Sequence, residues 1–152
     1  MKFAHNVVVS VFVKENENKA LIKESLLKLF PFEIKNQYSE ELARSYEGVK
    51  SDIFILRVEL NKDNQINSFL KYLKENIYDC DVLIKQIDSR LDNDYNFFIR
   101  LDKNELINGI DGRLKLTDAG NCCHIKVCIA AYPKNRESAI KIVNEIFRKT
   151  NI

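Results

Sequence analysis

Glycine and proline are scarce in this chain, with four and two in 152 residues. Long flexible linkers are rich in one or both, so a single domain over residues 1–152 is expected. No run approaches the roughly 20 apolar residues of a membrane-spanning helix. The opening stretch, MKFAHNVVVSVFVKEN, has a short apolar run interrupted by His5 and Asn6 and no small-residue cleavage site. It reads as a first strand rather than a secretion signal, and a cytoplasmic protein that does not enter membranes follows as the expectation. The four cysteines form no C-x-x-C pair, and vicinal Cys122 and Cys123 suit a disulfide poorly. Four free thiols in a reducing compartment are expected.

Catalytic and metal signatures are equally thin. There is no G-x-S-x-G, P-loop or H-E-x-x-H. His124 and Cys128 share a strand face, but four residues along a strand is about 13 Å, too far for one metal ion. The stretch LDNDYN groups Asp92 and Asp94. It lacks the glycine and closing glutamate of a calcium loop and reads as a polar turn. No cofactor or metal is expected.

The composition, 45% hydrophobic and 30% charged, is that of an ordinary globular protein. The net charge of +2 is unevenly spread. Residues 95–152 hold ten Lys/Arg against six Asp/Glu, a net +4, while residues 1–94 hold fourteen against sixteen, a net −2.

Residues 5–13 are rich in β-branched side chains and predict a strand. Ile22, Leu26, Leu29 and Phe30 recur at helical spacing until Pro31 stops the helix. FEIKNQY reads as a weak strand, and SEELARSYEGVKS is polar and reads as a loop. DIFILRVEL is a strong strand. A helix capped by Asp63 follows with Ile66, Phe69, Leu70, Leu73 and Ile77, then one capped by Asp81 with Ile84, Ile87 and Leu91. YNFFIRL, GRLKLT and CHIKVCIAAY predict three late strands, with Gly109 and Gly112 framing a loop between the first two. A closing helix carries Ala139, Ile142, Val143, Ile146 and Phe147. This order suggests an α+β fold, an antiparallel or mixed sheet with helices packed on one face.

Alternation along the strands then separates two faces. Phe97, Ile99, Leu101, Leu114, Leu116, Ile125, Val127 and Ile129 belong to the core. Arg57, Phe98, Arg100, Arg113, Lys115, His124, Lys126 and Tyr132 fall on the other face, with Glu59 among them. Cations can hold phosphates, and exposed rings offer stacking surfaces for unpaired bases. The bland alternative is an ordinary solvated sheet face, which also carries Lys, Arg and Thr.

Four stretches, HNVVVSVFVKENEN, IFILRVEL, FFIRLDKNELINGIDGRLKL and HIKVCIAAYPKNRESAIKIVNEIF, resemble in order a small archaeal RNA-binding family often described as a predicted exosome subunit. The most specific parts are RLDKN followed by a glycine-led strand, and AYPKNRESAI. Asn104 stands where that family tends to have Gln, the loop over 105–111 is longer, and DAGN replaces a more acidic turn. The resemblance implies a fold like the ribosomal protein that binds five-S ribosomal RNA. It also implies RNA binding, with exosome- or ribosome-related partners and a role in RNA processing or ribosomal RNA metabolism. It supplies no catalytic residues. Asp102 is expected to hold its turn through backbone N–H groups, leaving Arg100 and Lys103 on the rim for phosphate. The leading expectation is a non-catalytic RNA-binding protein, monomeric or homodimeric. The second is a protein-interaction adaptor, and the third a small metal-dependent nuclease using Asp92, Asp94 or Asp102.

Overall fold

The computed structural model describes residues 1–44, 52–109, 114–118 and 120–148. Among the described residues five strands form one antiparallel sheet: β1 (Ala4–Val13), β2 (Tyr38–Arg44), β3 (Asp52–Leu60), β4 (Asn96–Asp102) and β5 (Cys122–Ile129). Their order across the sheet is β2-β3-β1-β5-β4. The first strand is therefore central, with Val9 opposite Val58 on one side and Ile125 on the other.

Strand alternation builds the core. Val7, Val9, Val11, Leu56, Val58, Leu60, Phe97, Ile99, Leu101, Ile125 and Val127 are buried on one face. The helices α1 (Lys19–Leu27), α2 (Asp63–Asn76) and α6 (Arg136–Phe147) bury their apolar stripes in the same cluster. Ile66, Phe69, Leu70 and Leu73 of α2 recur every three or four residues, which turns them onto one side of the helix. Phe69 stacks on Phe30, with centroids 4.7 Å apart, and Phe97 meets Phe147 at 5.8 Å. Local capping fixes helix starts: Asn18 accepts from the Leu21 N–H and Asn135 from the Ser138 N–H. No helix among the described residues is long and apolar enough to cross a membrane.

Several elements differ from the sequence expectation. Residues 32–37 form no strand, whereas the polar stretch expected to be a loop supplies β2. This terminal strand is largely exposed from Ser39 to Leu42, with Tyr38 packed against the core. Lys19 pairs with Glu40 and lies 4.2 Å from the Phe54 ring centroid, and Lys23 lies 4.6 Å from that of Tyr38. The helix after Asp81 breaks at Gln86 into α3 (Asp81–Lys85) and α4 (Ile87–Arg90). Neither Asp63 nor Asp81 is a capping residue; each is the first residue of its helix.

GRLKLT is not a full strand over its described part. Leu114 bridges Ile77 in parallel and Leu116 bridges Leu101 antiparallel. The Asp102 N–H donates to the Lys115 carbonyl at 2.7 Å and the Thr117 N–H to the Arg100 carbonyl at 3.0 Å. The segment thus runs along the outer edge of β4. Leu114 is buried, but Leu116 is only half-buried. An unexpected helix, α5 (Lys103–Asn108), follows β4 directly.

Candidate nucleic-acid interface

The sheet face opposite the helices is built by strand register. Ser39, Arg57, Ser10, His124 and Arg100 lie side by side across all five strands. Beside them runs a second row, Glu59, Val8, Lys126 and Phe98. Neighbouring strands are about 4.8 Å apart, so the cations are dispersed rather than crowded. Small residues at positions 8 and 10 leave the centre low. The result is a depression of about 550 Å³ lined by Arg57, Glu59, Phe98, Arg100, His124 and Lys126 over Val8 and Ser10.

Arg57, Arg100 and Lys126 are exposed. Among the described residues, none of the three has an ion pair within 4 Å. Phe98 is 37% exposed and shares a cross-strand position with Lys126. His124 is half-buried, with Nε2 3.4 Å from Cys122 Sγ and its ring 6.0 Å from that of Phe12. Burial, and secondarily the Arg100 charge, hold the imidazole below the usual histidine range. His124 is therefore neutral at pH 7 and does not add to the cations.

Lys103 corrects the sequence reading most clearly. It is 1% exposed and does not stand on the rim. Its Nζ donates to the Phe12 carbonyl at 2.6 Å, to Glu17 Oε1 at 2.7 Å and to Asn121 Oδ1 at 3.5 Å. The cause is the helix that begins there. Asp102 accepts from the Glu105 N–H at 3.0 Å and caps α5. The turn so formed carries Lys103 inward to the end of β1.

The remaining candidates divide. Arg113 lies outside the described residues. Lys115 is exposed but lines a separate hollow of about 450 Å³ at the β4 edge, with Tyr78, Val82 and Arg90. Tyr132 is 95% exposed but lies beyond the end of β5, off its alternating face. Thus Arg57, Phe98, Arg100, His124 and Lys126 converge, and Lys103, Lys115 and Tyr132 do not join them.

Asp92 is occupied locally, its carboxylate accepting from the backbone N–H groups of Asp94 and Asn96, both at 2.9 Å. Among the described residues no group of three His, Cys, Asp or Glu side chains is placed to hold a metal ion. All four cysteines are free. Cys122 turns to the open face and Cys123 to the core, where burial pushes its thiol up to about 12.

Sequence reasoning missed a second hollow of about 630 Å³ that shares Arg57 and Glu59 with the first. It is lined by the amides Asn36, Gln37, Asn61 and Gln65 and by Lys35 and Lys62. Gln37 donates to Gln65 Oε1 at 3.1 Å. Reading residues 38–44 as a strand would have placed these groups beside Arg57.

The fold and this face define a class: an α+β protein with one helix-covered sheet face and one open face bearing cations and a ring. Within that class the chain belongs to a family of RNA-binding proteins, whose model, described as RNA binding, matches residues 6–130. It is similar to an RNA-binding protein of Pyrococcus abyssi, 26% identical over 145 residues that cover 93% of this chain and 92% of that one. Among solved structures it is similar to a protein of Archaeoglobus fulgidus assigned to the DUF54 family, with TM-score 0.80 and 26% identity, covering 94% of this chain and 99% of that one. A DUF54 protein of Methanothermobacter thermautotrophicus matches with TM-score 0.75 and 26% identity, over 97% of this chain and all of the other.

Proposed function

We propose that this protein binds unpaired RNA on the open face of its sheet, without cleaving it. The observation that carries the reading is the register that sets Arg57, Arg100 and Lys126 around one depression with the Phe98 ring. Cations without acidic partners hold phosphates, and a ring among them offers a stacking platform that every base can use. Asp92 is engaged by the backbone of its own turn and Asp102 in capping α5, which favours binding over acid-cluster chemistry. A role in RNA processing or ribosomal RNA metabolism, with exosome- or ribosome-related partners, and kinship to the five-S-binding ribosomal fold rest on the family resemblance.

The adaptor or homodimer reading draws on β2, a terminal strand with Leu42 43% exposed. Exposed Glu41, which has no ion pair within 4 Å among the described residues, opposes pairing of two such edges.

The test has two arms on single-stranded RNA. Phosphate contacts at Arg57 and Arg100 give a slope of log affinity against log salt of about −1.4, and Arg57→Ala with Arg100→Ala removes most of it. Phe98→Ala costs roughly 1–3 kcal/mol with the slope unchanged. If both folded variants bind like the parent, the face is an ordinary solvated surface.

A further inference from the structure

Glu59 is the anomaly of this face. A carboxylate repels phosphate, yet Glu59 is exposed and lines both hollows at their junction. Among the described residues it has no ion pair within 4 Å. It stands directly across from Val8, and Lys126 flanks Val8 on the other side. Carboxylate and ammonium thus rise from strands about 9.6 Å apart, with a small apolar side chain as the floor between them.

A flat base laid on Val8 would meet an acceptor at one side and a donor at the other. Guanine matches that polarity. Its N1–H and N2–H₂ are two adjacent donors, which fit the two oxygens of one carboxylate. Its O6 and N7 are acceptors for a cation. Adenine and cytosine each place an acceptor beside their amino donor, and uracil offers a single N–H between two carbonyls. None of these fills both carboxylate oxygens.

We infer that Glu59 and Lys126, over Val8, form a specificity subsite for an unpaired guanine base in single-stranded RNA. The inference rests on the reading of the open face as an RNA surface. Phosphates lie with Arg57 and Arg100 in the neighbouring row, and Glu59 keeps them off the subsite. An acidic side chain in a cationic face is then a reader of base identity.

The experiment measures affinity, by fluorescence anisotropy, for oligouridine strands carrying a central guanosine, inosine or adenosine. The wild-type protein should prefer guanosine over adenosine roughly 5- to 150-fold, the range of a good bidentate base contact. Inosine, which lacks the N2 donor, should fall between. Glu59→Gln, an exposed near-isosteric change, should reduce the preference to near unity while strengthening binding to plain oligouridine. If Glu59→Gln tightens all strands equally, Glu59 only repels RNA and the inference is overturned. Wild-type binding with no base preference overturns it while leaving the RNA face intact. Absence of any RNA binding removes both.

Discussion

A lysine side chain is long enough to reach solvent or the interior, and at position 103 its neighbours decide. Three oxygens, from Phe12, Glu17 and Asn121, surround its Nζ. Removing one partner of such a buried pair costs about 3–5 kcal/mol when the other is left stranded. Glu17 keeps partial exposure, so Lys103→Met should cost about 3 kcal/mol, read from the urea midpoint. RNA affinity per folded molecule should not change. A fall in affinity at full stability would restore Lys103 to the binding surface. His124 provides a second single-residue test, through pH. Its value is lowered by burial and then by Arg100, so the folded chain binds that proton more weakly than the unfolded chain does. Stability therefore declines as pH falls from the ordinary histidine range through the lowered value. Phosphate near the ring has the opposite effect on binding, because it favours the imidazolium. RNA affinity should rise as pH falls below the ordinary histidine range, and His124→Gln should abolish that rise. A rise of equal size in the variant would assign the proton elsewhere.

Among the elements, α5 is the one on which the site reading turned. Its cap is a single carboxylate–amide bond from Asp102. Asp102→Ala should destabilise by about 1 kcal/mol, the usual value of such a cap, and increase amide exchange in residues 103–108. Unchanged stability and exchange would show that the helix holds without it. The strands β1, β3, β4 and β5 were legible because apolar and polar residues alternate where one face is buried and the other wet. Alternation assigns Arg57, Arg100, Lys126 and Phe98 to one face if the strands are neighbours, but the strand order and register that bring them together are not written in it. β2 was not legible because it is a terminal strand largely exposed to solvent, so its residues carry no apolar alternation. α5 was hidden because six residues hold too few turns for a hydrophobic period. The direction of Lys103 was hidden with it, since a lysine beside a strand end reads as solvent-facing unless the helix is known. Tyr132 fitted the alternation of its segment, but the strand stops at Ile129, and alternation carries no meaning past a strand's end.

For the molecule as a whole, the place of β1 has a consequence in time. The strand nearest the start of the sequence lies at the centre of the sheet, between β3 and β5. During synthesis it can pair with β3 early, but its second edge waits for β5, which begins only at Cys122. Contacts so distant in sequence make for slow folding and an exposed, adhesive intermediate. A chain ending at Asn108 should therefore show no cooperative urea transition, and its β1 amides should exchange rapidly. A sharp transition in that fragment would mean that the first four strands suffice. The same geometry bears on the face proposed to hold RNA. Arg57 and Arg100 face one depression only after β5 has inserted between β1 and β4. A nascent chain still lacking β5 thus has its charges scattered, and competence to hold a ligand on this face arrives together with the closing of the sheet.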